Sequence, residues 1–498
     1  MAEHLPGDAR DGLGCAATAC GPCEPLGERA YTYLKTVQGV CRECRKVVNC
    51  RILVEDGKVW QERLCPEHGR SRALIAEDHA WYLRVMRSPV EPRPSRNQGA
   101  PQKRGCPLDC GPCSFHAAAP NLPVFSVTNA CNLDCPICFT YNRKDRIWHM
   151  PLDEADRILD QVIAAAGDLD LINVTGGEPT LHPQILELLR RAASRPQIGR
   201  VTLNSNGIRI AREPGFAEEL AKLGVYVILS FDTFDAERSV RIHGRDIVQT
   251  KLAALENLDR AGVGTTLLNV MIRGVNDDEI GRVLDLAREK SCVRSVTVQT
   301  MTFTGQGGGH FPRGPHMTID GAQKAIERAT EGRTRFDDFH PMPAAHPLCY
   351  GIAYFFRGDD RLVPFRRLFS EEQMRRILGS NYLIRPGDEF NELLDDAIHR
   401  LWAEDAGAPE LSVLKQIVKK VFPPGRTLST FERQKLAERF VLTCYVHAHM
   451  DEDNFDVSRV STCPDLVPDV SGTLIPACSY NVFYRQRDER FWVPDAGK

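Results

Sequence analysis

Val124–Thr140 reads VFSVTNACNLDCPICFT. Its β-branched and aromatic start makes a short strand that runs straight into Cys131, Cys135 and Cys138, spaced C-x3-C-x2-C. Three thiolates on one strand-end loop can wrap one face of an iron-sulfur cube but cannot easily reach a fourth iron, so one vertex stays open. An open, redox-active iron at the C-terminal end of a strand is a place for a small chelating ligand. A zinc knuckle would close with four ligands and favours C-x2-C pairs, and no nearby residue completes one here.

From Val124 to about Met301 strand and helix alternate. The strands read as 124–128, 171–174, 201–204, 225–231, 266–272 and 295–300, with amphipathic helices between them, such as Leu152, Ala155, Leu159, Val162 and Ile163 on one face. Such βα units imply a parallel sheet wrapped by helices, with the site at the strand C-termini. After the second strand, Gly176-Gly177-Glu178-Pro179 removes side chains where backbone must come close, and offers carbonyls to an ammonium group. Asn204 and its neighbours after the third strand, and Ser230 with Asp232 after the fourth, supply short polar groups suited to ribose hydroxyls. Gly274 follows the fifth. Taken singly each could be a turn or a helix cap, Glu178 above all, but four successive strand ends in register with the cysteine loop favour a ligand site.

Either side of this core the chain is rich in cysteine. Cys41-x2-Cys44 and Cys65-Pro66-Glu67-His68 flank an alternating segment centred on Asp56-Gly57, the signal of a hairpin that would bring Cys41, Cys44, Cys65 and His68 onto one Zn or Fe ion. CPLDCGPC presents Cys106, Cys110 and Cys113 just before the central strand, and Cys349, Cys463 and Cys478 form a dispersed set with Cys444 or a non-thiol as fourth ligand. Cys15, Cys20 and Cys23 sit in an Ala, Gly and Pro-rich tail over residues 1–30. The expected units are that tail, a metal module over 31–87, a Pro-rich linker and cysteine motif over 88–123, the core over 124–304, and a mainly helical C-terminal region over 305–498. Residues 305–312, GQGGGHFP, read as a flexible break.

The bulk numbers narrow the class. The 498 residues suffice for about three domains. A net charge of -3 from 63 basic and 66 acidic side chains gives no ground for nucleic-acid binding. Without a long apolar run the protein is expected in the cytoplasm with at most peripheral membrane contact, and 18 cysteines in a reducing compartment point to metal ligation rather than disulfides.

The cysteine loop followed by Gly176-Gly177-Glu178-Pro179 resembles the radical S-adenosylmethionine (SAM) superfamily. CPEHG, CPLDCGPC, HPLC, HMDEDNFDVSR and IPACSYN resemble, within it, the branch of archaeal tetraether lipid synthases and proteins once labelled dihydropterin methyltransferases. That likeness runs from Val37 onward, with one departure. The branch carries a further cysteine shortly before HPxC, where Ala344-Ala345 stand here, which leaves the fourth ligand open.

The resemblance implies a partial (β/α)6 TIM-like barrel with a rubredoxin-like module before it, a [4Fe-4S] cluster binding SAM, one or two auxiliary [4Fe-4S] clusters and one mononuclear Fe or Zn. It assigns the Gly176–Pro179 turn to the methionine amino group and Gly274 to the adenine-facing turn. It implies reductive cleavage of SAM to a 5'-deoxyadenosyl radical that takes hydrogen from an unactivated carbon, with an electron donor such as ferredoxin or flavodoxin. The substrate it suggests is a lipid or other hydrophobic molecule joined through a new C-C bond. A radical methyltransferase acting on a pterin or other small heterocycle is the alternative, and a non-catalytic multi-cluster electron carrier is the alternative from another class. No catalytic acid, base or substrate contact is assigned.

Overall fold

In the computed structural model, residues 29–96, 99–116, 118–140, 146–379, 381–384, 388–404, 409–421, 425 and 436–491 are described. Cys15, Cys20 and Cys23 lie outside them.

The N-terminal module is a four-stranded antiparallel sheet in chain order, β1 (Thr32–Val40), β2 (Val47–Glu55), β3 (Lys58–Cys65) and β4 (Gly69–Ala76). Asp56 and Gly57 join β2 to β3 with φ of 51° and 72°. Two left-handed residues in a row match the twist of a hairpin, which is why Asp-Gly closes it. The module shares one apolar cluster with the barrel: Val48, Ile52 and Val59 pack in the same core as Phe125, Leu203 and Leu267.

The barrel strands follow as β5 (Leu122–Ser126), β6 (Ile172–Thr175), β7 (Val201–Ser205), β8 (Tyr226–Ser230), β9 (Thr265–Met271) and β10 (Val293–Thr300), neighbours in chain order and all parallel. Each lies within two residues of its sequence expectation. The first wrapping helix, Leu152–Ala166, buries Ala155, Ile158, Leu159, Val162 and Ala165. Leu152 and Ile163 sit at the margin of that stripe, as helical spacing requires.

Among its described residues the C-terminal region holds more helix than strand, and it adds strands that the sequence reading missed. It contributes helices, including Ile319–Ala329, Asp388–Glu404 and Pro409–Val421, but also six strands: β11 (His340–Pro341), β12 (Tyr350–Arg357), β13 (Leu362–Pro364), β14 (Val441–His447), β15 (Asp465–Pro468) and β16 (Leu474–Pro476). These extend the barrel sheet at both edges, giving the order β11-β12-β14-β10-β9-β8-β7-β6-β5-β15-β16, with β13 on β12. Parallel strands left at an open edge would expose unpaired backbone; here β14 pairs with β10 and β15 with β5. The two ends of this long sheet meet through side chains. Asp465, first in β15, accepts hydrogen bonds from the hydroxyls of Tyr350 in β12 and Tyr382, and His447 at the end of β14 lies 3.6 Å from it.

The linker is a strap across the surface. Glu91 N donates to Pro343 O at 2.7 Å, Arg96 N to Ala165 O at 2.9 Å, and the Arg93 guanidinium to buried Asp170 at 2.8 Å. Among the described residues no helix is long and apolar enough to cross a membrane.

Candidate active site and metal centres

Cys131, Cys135 and Cys138 stand on the loop after β5, each part-exposed. The β6 end holds this loop by backbone: Gly177 N donates to Thr128 O at 2.8 Å and Glu178 N to Ala130 O at 2.7 Å. A Cβ on Gly176 or Gly177 would come within 2.3 Å of Thr128 O or Ala130 O respectively. The glycines are therefore required by the approach of the cluster loop itself, a reason that differs from the expected approach to a ligand. Residues 305–310 do not form the expected loose break. Gly305 rests on Phe139, where a Cβ would lie 2.3 Å from the backbone carbon, and Gly307 N donates to Cys138 O at 3.0 Å. The loop is thus braced by backbone from two sides. Burial pushes the Cys131 and Cys135 thiols up to about 12. A bound metal reverses that preference, because a coordinated thiol is deprotonated.

The strand-end residues divide. Among the described residues Asn204 Oδ1 is buried with no hydrogen-bond partner, an orphan that a ligand hydroxyl would satisfy. Glu178 is fully occupied: it accepts from Thr180 N and Oγ1, from Ser205 Oγ at 2.9 Å and from Asn206 N at 2.7 Å. It caps the Pro179–Leu181 turn and ties β6 to β7, the cap reading the sequence also offered. Pro179 is the buried first residue of that turn. Ser230 Oγ accepts from Lys251 Nζ at 2.9 Å, and Asp232 lies 3.5 Å from Lys251 Nζ and 3.1 Å from His243 Nε2 while accepting from Val270 N. Both are committed to a buried lysine rather than held free for ribose. Gly274 adopts φ 68° in an exposed turn pinned by Asp277. Lys251 escaped sequence reading because it sits within an ordinary amphipathic helix, Val248–Ala261.

The module's ligand set converges as expected. The ligand atoms of Cys41, Cys44, Cys65 and His68 lie within 4.8 Å of one another, with Cys44 to Cys65 at 3.9 Å, Cys41 to His68 Nδ1 at 3.6 Å and Cys65 to His68 Nδ1 at 3.5 Å. These are edge lengths of a tetrahedron around one ion with bonds of about 2.0 to 2.3 Å. The module also grips the segment HMDEDNFD. Arg63, buried in β3, donates to Glu452 O at 2.5 Å and to Asp453 O, and Gln61 Nε2 donates to Phe455 O at 2.7 Å. Within that segment Asp451 receives His316 Nε2 at 2.9 Å and Phe303 N at 2.9 Å. Asp453 faces Arg42, Arg63 and Arg313, which supply the positive charge an ion would otherwise bring.

Two further thiol sets flank residues 459–463. Cys106, Cys110 and Cys113 line one small cavity with His116, Val460 and Ser461, and burial raises Cys106 to about 12 and Cys110 to about 11. His116 Nε2 meets Cys463 O at 2.9 Å, joining this set to the next. Cys349, Cys463 and Cys478 gather on the other side, close enough for each to feel the others' charge. Cys444 does not join them. It is fully buried in β14 within the main apolar core, because strand alternation turns it with Leu442 and Val446. His449 does come near, with Nδ1 3.7 Å from Cys478 Sγ.

His449 also stacks on Phe139, beside Cys138, at 6.3 Å, and its ring lies 4.2 Å from His447, which stacks on Tyr350 at 4.0 Å. A continuous row of rings thus runs from the Cys131–Cys138 loop to the C-terminal cysteines. The H-x-H of YVHAHM at a strand end was the signal for it. Ile137, between Cys135 and Cys138, packs on an apolar cluster of Ile272, Met301, Phe303 and Phe311.

Residues 125–287 match the family described as the radical SAM superfamily, and residues 33–77 match the HMPTM N-terminal zinc ribbon domain. The 7,8-dihydro-6-hydroxymethylpterin dimethyltransferase of Methanocaldococcus jannaschii is 26% identical over 502 residues, spanning 92% of this chain and 96% of that protein. The GTP 3',8-cyclase of Chlorobaculum tepidum is 35% identical over 165 residues, 33% of this chain and 49% of that protein, so the chain spans about half the length of that relative. Among solved structures, Streptococcus suis SuiB bound to precursor peptide SuiA aligns with a TM-score of 0.36 and 21% identity over 43% of this chain and 46% of that one.

Proposed function

Because the chain is a radical SAM superfamily enzyme that carries an N-terminal zinc ribbon, we propose that it functionalises an unactivated C-H bond of a small polar substrate, a pterin or comparable heterocycle. The substrate would sit between the Cys131–Cys138 loop and the Cys349, Cys463 and Cys478 set. The supporting observation is the row Phe139, His449, His447 and Tyr350 that spans this distance. Burial pushes His449 down to about 4, so its ring is neutral. A row of stacked rings with a neutral imidazole in it suits a planar ring system. The pterin named for the Methanocaldococcus relative is of that chemical class.

Cys131, Cys135 and Cys138 would hold the [4Fe-4S] cluster, and Asn204 Oδ1 would accept from a SAM hydroxyl. When bound, cluster and SAM supply a 5'-deoxyadenosyl radical that abstracts hydrogen from carbon. Around them the chain's own task is exclusion and orientation. Met301, Phe303 and Phe311 would keep water out, and the buried pair Lys251 and Asp232 would fix the strand ends near Cys135. Cys106, Cys110 and Cys113 would hold an auxiliary cluster, and an electron donor such as ferredoxin or flavodoxin would supply the reducing electron.

A second reading, an alkyl substrate joined through a new C-C bond, is favoured by the apolar cluster at Ile137, Ile272 and Met301. One experiment tests both. Anaerobically reconstituted protein is given dithionite and SAM, and the products are separated. Wild type should release 5'-deoxyadenosine and Cys135→Ala should not. Addition of a dihydropterin should yield S-adenosylhomocysteine together with 5'-deoxyadenosine if methyl transfer occurs. Turnover only with lipid extract, without S-adenosylhomocysteine, would sink the heterocycle reading in favour of the second.

A further inference from the structure

We infer that Arg459 is the counter-cation of an iron-sulfur centre held by Cys349, Cys463 and Cys478, and that it sets the reduction potential of that centre. The inference rests on reading these thiols as an auxiliary cluster.

Arg459 lies in the short helix Val457–Val460 and is 5% exposed. Its Nε donates to Cys349 Sγ at 3.4 Å and its Nη2 to Ala448 O at 2.9 Å. Among the described residues the guanidinium makes no ion pair with a carboxylate. Asp456, the nearest in the chain, spends Oδ1 on Ser458 N and Oγ as a helix cap. A buried guanidinium with no anion in contact is destabilising. The negative charges that act on it come first from the sulfurs of Cys349 and Cys478 and then, more weakly, from Asp456. As neutral thiols the two cysteines would leave it only that weaker charge, whereas as metal-bound thiolates they place negative charge at the atom Arg459 touches.

The consequence for redox chemistry follows from charge. A cluster carried by cysteine thiolates is anionic and gains one further negative charge on reduction. A fixed cation and an N-H donor at one sulfur stabilise the reduced state more than the oxidised one, so the potential lies higher than it would without them. Arginine suits the position because its planar fork holds Nε on sulfur while Nη2 is anchored to a carbonyl, a geometry that lysine cannot reproduce.

The test is an EPR-monitored redox titration of the reconstituted full chain. A Cys349→Ala/Cys463→Ala/Cys478→Ala variant identifies which signal and which iron belong to this centre. The midpoint of that signal should fall in the order wild type, Arg459→Lys, Arg459→Gln, while the other cluster signals stay in place. Selective loss of this signal in Arg459→Gln, with the others retained, also supports the counter-cation role. Where Arg459→Gln does not fold, Arg459→Lys carries the test, and its midpoint must lie below that of wild type. A wild-type midpoint in whichever variant folds overturns the inference. If the triple variant loses neither iron nor signal, the thiols hold no cluster, and the underlying reading is the one that fails.

Discussion

At Gly177 the nearest atom to an added Cβ is a backbone carbonyl of the cluster loop, 2.3 Å away. No side-chain rotation relieves that clash, so Gly177→Ala should displace Ala130 and with it the three-cysteine loop. We expect the variant to fold but to lose about four iron atoms per chain; wild-type iron content would show that the loop tolerates the methyl. His340 gives a different residue-scale prediction. It is 5% exposed, with Nδ1 against Pro341 O at 3.1 Å, and burial pushes its pKa down to about 4. The folded value lies below the unfolded one of about 6.5, so the fold prefers the neutral ring. Its contribution is fully present above about pH 6.5 and lost as pH falls toward 4, about 2 kcal/mol by pH 5. His340→Gln, which cannot take up that proton, should show a shallower loss of thermal midpoint between pH 8 and pH 5 than wild type. Parallel profiles would refute the assignment.

At the scale of elements, the zinc ribbon is more than an appendage. Cys41 follows β1, Cys44 precedes β2, Cys65 ends β3 and His68 precedes β4, so one ion bound there would pin all four strands at one end. Arg63 and Gln61 on β3 then hold Glu452, Asp453 and Phe455, a few residues from His449. Binding of a structural zinc is folding free energy for a small domain. Removing the ion by Cys41→Ser/Cys44→Ser should therefore cost one metal per chain and speed amide hydrogen exchange in 451–456, even though that segment lies outside the ribbon. Exchange faster in 32–76 alone would show that the two elements are uncoupled. The hairpin was legible in advance because Asp56-Gly57 and the ligand spacing are local signals. The grip of Arg63 on a segment near the other end of the chain was not, since a lone arginine in an alternating strand reads as a solvated face.

For the whole molecule, the decisive fact is that residues beyond 304 finish the barrel. β14 covers β10 and β15 covers β5, and Asp465 joins the two ends through Tyr350 and Tyr382. A fragment spanning 122–304 should therefore expose two parallel edges and aggregate, as light scattering would reveal. A monodisperse, folded fragment would contradict this. The strands within the mainly helical region 305–498 were harder to read: β12, YGIAYFFR, is buried along its whole length, so it lacks the alternation by which strands are recognised.

The chain by itself determined the cluster loop, the order of the barrel strands and the ribbon's ligand set. In each, residues a few positions apart are constrained by a single metal, turn or strand, and spacing carries that constraint. Only the tertiary structure decided that Glu178 caps a turn, that Asp232 serves Lys251, that Cys444 is core, and that Arg459 meets Cys349. Those outcomes depend on which side chains packing brings together across long stretches of chain. A buried charge finds its partner in space, with no spacing in the sequence to announce it.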